Sequence, residues 1–201
     1  MAWLENINFE KKLIKKYKKI VAIDEAGRGS LVGPLVVAGI LLENKNYNID
    51  FRVKDSKLLN SNQREKIFQK IKKTFKFKFV FINEKKIDKY GIIKAEVLGI
   101  KKIIKDLKPK LTIIDGLKIK ELKKIKNLKF FVHGDRKLFS LACASIIAKV
   151  KRDNFMKKLS LKYPNWNFEK NKGYGTKEHL KLIKVFGPLK IHRKTFIKNL
   201  T

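Results

Sequence analysis

"AIDEAGRGSLVGPLVV", residues 22–37, sets two adjacent carboxylates, Asp24 and Glu25, directly in front of a glycine-rich loop. The apolar run before them and the spacing of Gly27, Gly29 and Gly33 resemble a dinucleotide cradle, which holds pyrophosphate at the N-terminus of a succeeding helix. The residues after the loop exclude that reading. Pro34 is succeeded by Leu-Val-Val-Ala-Gly-Ile-Leu-Leu, a β-branched apolar run of strand length, so the loop joins strand to strand. Two carboxylates would also repel a phosphate arriving without cations. The stretch fits a site in which carboxylates hold metal ions and the metals hold the phosphate.

The same pattern recurs downstream. "KLTIIDG", 110–116, is an apolar strand ending on Asp115, and "LKFFV", 128–132, runs into His133-Gly134-Asp135. "KKIVAID" leads into Asp24, residues 34–43 read as the strand after the loop, and "FKFKFVFINE", 75–84, alternates aromatic with lysine before turning apolar. Helices are predicted at 5–18, 61–73, 92–107, 137–160 and 176–186, with Asn60, Ser61 or Asn62 capping the second and Gly187-Pro188 stopping the last. The order predicts an α/β chain, and nothing in it marks a repeat, a linker or a domain break.

At 201 residues and 44% hydrophobic, the chain is long enough for a sizeable core, and one domain over 1–201 is expected. Cys143 stands alone, which excludes an internal disulfide framework. No run approaches the roughly 20 apolar residues of a membrane helix, and the N-terminus lacks a signal peptide's apolar stretch. A cytoplasmic protein without membrane contact is the expectation.

The formal charge of +32 points to a polyanionic partner. Much of it is discounted as a solvated lysine surface, since Ile and Asn are plentiful too and the whole composition fits A/T-rich coding. Only six of the 50 basic residues are arginine, at 28, 52, 64, 136, 152 and 193, and four of these lie in or beside the motifs. A rigid planar donor is hard to replace by lysine, so the arginines carry more information.

Any one acid at a strand end is ordinarily a turn residue or an ion-pair partner, and Asp55, Asp88 and Asp106 are left in that class. Asp24, Glu25, Asp115 and Asp135 together are harder to dismiss in a chain with 18 acids. An oxygen-rich set of this kind suits Mg²⁺ or Mn²⁺ and phosphodiester hydrolysis by an activated water.

"DEAGRG" with "GP" after it, "DSK" at 55–57, "IDG" at 114–116, "GD" at 134–135, "ASIIAKVKRD" at 144–153, "KGYGTKEH" at 172–179 and "HRKTF" at 192–196 stand in the order in which ribonuclease HII sequences carry them. By these motifs the chain resembles that family, the type 2 ribonucleases H, over about 19–197. The resemblance implies a ribonuclease H-like fold, a mixed five-stranded sheet flanked by helices. It implies an endonuclease that hydrolyses RNA in RNA/DNA hybrids, incises DNA 5′ of embedded ribonucleotides, and works as a monomer without an obligatory protein partner. The family's catalytic, metal-holding carboxylates fall on Asp24, Glu25, Asp115 and Asp135. Gly27-Arg28-Gly29 matches the backbone sensor of the 2′-hydroxyl, where glycine lets the chain come close.

Tyr174 matches the residue that stacks on the neighbouring sugar, although a lone tyrosine is as well read as half-buried core. Ser145 and Lys149, one helical turn apart, are placed to offer a hydroxyl and an ammonium to a phosphate; Ser145 also reads as a small packing residue. Lys57 is a candidate backbone contact. Asp153, next to Arg152, stays outside the metal set, and His179 and His192 read as structural or substrate-facing rather than as zinc ligands. His133 and Gly91 depart from the family's common lysine and asparagine, and the family's partner-recruiting extensions are not expected after "HRKTF". Two other readings share some of these features. A junction resolvase would use the acids without the sensor, and a basic nucleic-acid-binding protein would need neither.

Overall fold

The computed structural model describes residues 2–43, 53 and 59–198. Helix α1 (Ala2–Tyr17) leads into β1 (Lys19–Ala26), which turns through the glycine loop into β2 (Leu35–Glu43). Helix α2 (Ser61–Thr74), β3 (Lys76–Ile82), α3 (Glu84–Tyr90) and α4 (Ile92–Leu107) come next. Then come β4 (Leu111–Asp115), β5 (Leu128–Phe131), a single turn α5 (Gly134–Lys137) and the long α6 (Phe139–Lys162). The chain closes on short helices α7 (Phe168–Asn171), α8 (Lys177–Phe186) and α9 (Lys194–Ile197).

The strands form one mixed sheet in the order β3-β2-β1-β4-β5. β1 pairs antiparallel with β2 and parallel with β4, and β2–β3 and β4–β5 extend the sheet antiparallel and parallel. α6, α1 and α2 cover one face over a core that includes Ala22, Ala38, Ile113 and Ile147. α4 covers the other, over Val21, Ile23, Val37 and Ile114. A third apolar cluster, with Met156, Trp166, Phe168 and Ile183, ties the C-terminal helices to Leu31 and Val32 of the glycine loop.

The predicted elements are present, with differences at their ends. Asn60 caps α2 in a reciprocal pair with Gln63, as its position suggests. Gly91 (φ +78°), where the family commonly has asparagine, starts α4 with no side-chain cap. Two placements need correction. Asp24 and Glu25 lie inside β1 rather than at its end, because the ladder to β2 continues through Asp24↔Ala38, Glu25↔Val37 and Ala26↔Val36. Asp135 does not end a strand: β5 stops at Phe131, His133 takes a left-handed conformation, and Asp135 sits in the turn of α5. The helix predicted at 137–160 accordingly starts two residues later, at Phe139: Lys137 closes the separate turn α5 and the backbone of Leu138 is extended.

Candidate active site

Sheet geometry brings the acids together. β1 and β4 run parallel with Ile20↔Leu111 through Ile23↔Ile114 in register, so the next residues along, Asp24 and Asp115, are side by side. Gly134 donates its backbone N–H to Asp115 Oδ1 at 2.7 Å, which locks the start of α5 against β4. A Cβ at Gly134 would lie 2.3 Å from Leu141 Cδ1 and 2.9 Å from Phe131 Cβ, so any larger residue would push α5 away from β4 or displace both neighbours. Asp135, the next residue, is thereby buried beside the other two. Carboxylate oxygens of Asp24, Asp115 and Asp135 all lie within 4.8 Å of one another.

Glu25 stands outside that trio but lines the same cavity. Successive strand residues face opposite ways. Asp24 shares its face with Ala22 and Ala26 under α6, and Glu25 shares the other with Val21 and Ile23 under α4. Each carboxyl therefore meets a different neighbour: Asp24 the hydroxyl of Ser145 from α6, Glu25 the charge of Glu96 from α4. Burial, and after it the charges of Glu25 and Asp115, raises the Asp24 pKa well above the carboxylate range. Burial and then Glu96 raise Glu25 to about 7, with Arg28 opposing.

The cavity, about 390 Å³, is lined by every described candidate residue: the four acids, Gly27, Arg28 and Gly29, Ser145, Lys149 and Tyr174. Lys57 lies outside the described residues. Ser145 is fully buried and takes a bond from Lys149 Nζ at 2.9 Å, so the hydroxyl links the lysine to Asp24, and both residues line the cavity. Tyr174 is 41% exposed, with its ring 5.1 Å from the Arg152 guanidinium, so it is a surface residue of the cavity and not core.

Several members of the site are invisible in the motif reading. Glu96, 2% exposed on α4, lies 3.4 Å from Arg28 and gives that arginine a partner inside the protein. Arg64 of α2 pairs with Asp153 at 3.0 Å on the cavity wall, so Asp153 is a structural acid facing the site. The scarcity of arginine is the one sequence signal that could flag Arg64.

Two buried arginines hold the glycine loop in shape. Arg152 donates to the carbonyls of Pro34 and Val32, and Arg193 to those of Gly33 and Arg28. Gly27 (φ +88°) lies so close to Arg152 that a Cβ there would be 2.0 Å from Nε. Behind Tyr174, His179 and His192 are buried with Nε2 atoms 3.2 Å apart. Their outer partners fix the tautomers: His179 Nδ1 donates to the Tyr174 carbonyl, its Nε2 accepts from His192, and His192 Nδ1 accepts from the Leu189 N–H. Burial lowers the pKa of both rings, and for His192, with the neighbouring His179 adding to it, the value falls to about 4. Their ring nitrogens are spent on these bonds, which brace the Tyr174 loop.

Residues 21–199 match the family model "Ribonuclease HII". A ribonuclease HII from Caldicellulosiruptor bescii is 43% identical over 194 residues, covering 95% of this chain and 92% of that protein. One from Pelagibacter ubique is 46% identical over 182 residues, covering 89% and 96%. Among solved structures, a chain of the PCNA:RNase HII complex from Archaeoglobus fulgidus superposes with a TM-score of 0.74 at 26% identity, covering 90% of this chain and 96% of that one. With the mixed sheet and the acids it carries, this likeness over nearly the full length means that the chain belongs to the ribonuclease HII family and is an endonuclease of the ribonuclease H type.

Proposed function

We propose that the chain hydrolyses the RNA strand of RNA/DNA hybrids and incises duplex DNA on the 5′ side of embedded ribonucleotides, with Mg²⁺ or Mn²⁺ held by Asp24, Asp115 and Asp135 and supported by Glu25. The observation that carries this reading is the convergence of three carboxylate oxygens within 4.8 Å in a cavity walled by the glycine loop. Hard oxygen donors at this density suit a small divalent cation, and buried carboxylates that repel one another are stabilised by one. When bound, such ions supply an activated water at neutral pH and stabilise the leaving oxygen of the cut phosphodiester.

The chain's own groups do the rest. Ser145 and the Glu25 N–H hold Asp24 in one orientation, and Gly134 does the same for Asp115. Lys149, anchored on Ser145, offers its charge to the phosphate. Gly27, Arg28 and Gly29 present backbone to the 2′-hydroxyl, whose donor and acceptor character separates RNA from DNA. Tyr174 packs on the adjoining deoxyribose and so sets which phosphate lies over the acids. The site as read draws on one chain alone and so needs no second protomer to be complete, and we take the protein to act on its nucleic acid as a monomer in the cytoplasm. The PCNA complex described for the Archaeoglobus protein is no requirement of it.

The test is to incubate the protein with an RNA/DNA hybrid, a duplex carrying one ribonucleotide and an all-DNA duplex, with Mg²⁺ or Mn²⁺, and to map the cuts. Incision 5′ of the single ribonucleotide, stopped by a chelator, is expected. Asp24→Asn and Asp115→Asn should abolish cleavage and keep hybrid affinity within a few-fold, because the basic surface is untouched. Cutting in chelator, or in either variant at the wild-type rate, overturns the assignment.

A further inference from the structure

Three depressions on one side of the molecule share their walls. The carboxylate cavity and its neighbour both use Arg64 and Asp153. That neighbour and a third depression, about 570 Å³, both use Asn154 and Lys157. α6 runs beneath all three, so a continuous path leads from the acids along this helix to the sheet's β3 edge.

The third depression has an unusual floor. Phe77, Phe79 and Phe81 alternate along β3 on the face that packs under α6, and only the first two belong to the core. Phe81 is 42% exposed and its ring lies 5.6 Å from Phe79 and 5.6 Å from Phe155, itself 37% exposed on α6. Phe81 is in register with Val36 and, across β2, with Ala26. Two strand spacings put it about 10 Å from the end of β1 that carries the acids. Lys151, Lys157 and Lys158 rim the depression, and no acid lines it among the described residues. Lys151 Nζ lies 4.8 Å over the Phe79 ring, and Lys157 approaches Glu169 at 3.9 Å.

We propose that this groove carries an unpaired nucleic-acid strand leaving the duplex that is cut at the acids. Exposed aromatic faces bordered by cations bind single strands of any sequence, with bases on the rings and phosphates on the lysines. A paired base keeps both faces inside its own stack, so the rings address unpaired bases. Continuity with the acid cavity through shared walls joins this strand to the substrate. The inference rests on the reading that the substrate is a nucleic-acid duplex, and extends it from the duplex to its flank.

The experiment compares one RNA/DNA hybrid made blunt with the same hybrid bearing an oligo(dT) tail on each strand end in turn. Wild type should bind one of the tailed hybrids several-fold more tightly than the blunt one. In Phe81→Ala/Phe155→Ala that gain disappears, while cleavage of the blunt hybrid is unchanged. Phe→Ala leaves the charge alone, so general attraction to the basic surface cancels in the comparison. Oligo(dT) alone, monitored by fluorescence anisotropy, should bind about tenfold more weakly to the variant, the size of one lost base–aromatic stack. This second readout holds even if wild type cuts no hybrid, so failure of the groove and failure of the nuclease reading are told apart. Phe155→Ala alone serves if the double variant melts early. No tail effect in wild type, equal losses on blunt and tailed hybrids, or a wild-type dimer that the substitution splits in sedimentation would each overturn the proposal.

Discussion

Asp24 and Glu25 are neighbours in the chain with different surroundings, and both favour their protons in the folded state. Glu25 rises from its ordinary value of 4.5 to about 7. Between those two values the folded protein holds a proton that the unfolded chain has released, so this carboxyl lowers stability as pH rises through that window. In chelator, the melting temperature of wild type minus that of Glu25→Gln should therefore fall as pH rises from about 4.5 to about 7 and level off above it, a window set by the ordinary and the raised value of this carboxyl. Mg²⁺ should stabilise wild type more at the upper end, where more negative charge needs offsetting. A difference that stays flat across that range would show that Glu25 ionises normally. Tyr174 makes a separate claim. Tyr174→Ala should reduce incision at a single ribonucleotide more than cleavage of a continuous hybrid, because the hybrid offers many registers and the lone ribonucleotide only one. The ratio of kcat/KM on the two substrates measures it, and an unchanged ratio in a folded variant would remove the tyrosine from the site.

At the level of elements, the glycine loop is a short connection whose shape comes from elsewhere in the chain. Arg193 reaches it from beyond α8 with bonds of 2.8 to 3.1 Å to the carbonyls of Arg28 and Gly33 and no solvent exposure. A lysine keeps the charge but loses the planar fork. Arg193→Lys should cost about 2–4 kcal/mol in denaturant unfolding, from charge-assisted bonds lost in a buried place. Cleavage should fall with it, since the carbonyl of Arg28 is one of the two anchored. Full stability in this variant would mean that the loop holds itself. This clamp also marks where sequence reading stops. Strands ending near acids, the Asn60 cap and the strand-to-strand nature of the loop arise from local pattern, which is why Asp24, Asp115 and the mixed sheet are legible. Glu96 is not, because a single acid on an amphipathic helix looks like a solvated one, and only the packing of α4 on β1 buries it. Asp88 reads as structural and is so, but it accepts the N–H groups of Lys194 and Thr195 and thereby joins α3 to α9 across a separation no local pattern spans. The separate turn α5 is hidden because it is placed by a long-range contact, the Gly134 N–H on Asp115 Oδ1, 19 residues earlier in the chain, and nothing in the local pattern sets the extended Leu138 apart from the helix after it.

For the molecule as a whole, the formal charge of +32 and the buried acids act at different ranges. Lysines are spread over every surface, from Lys11 and Lys15 of α1 to Lys184 of α8, and a duplex seated on the acid cavity touches only some of them. Those that touch release counterions, so the affinity for a hybrid should fall steeply with salt, by a log–log slope of about −0.9 for each phosphate neutralised on a B-form duplex. Lys149→Gln, at the cavity, should reduce that slope by about one; Lys15→Gln, near the start of β1 and so at the opposite end of that strand from the acids, should leave it unchanged. The acids respond otherwise. They lie in a cavity where interactions are screened far less than at the surface, so at saturating substrate kcat should change much less with salt than kcat/KM does. Hybrid affinity measured by anisotropy and cleavage measured in the same salt series separate the two quantities. An affinity indifferent to salt would refute the electrostatic account of binding, and a kcat falling in step with kcat/KM would show that the lysines act on the chemical step as well as on capture.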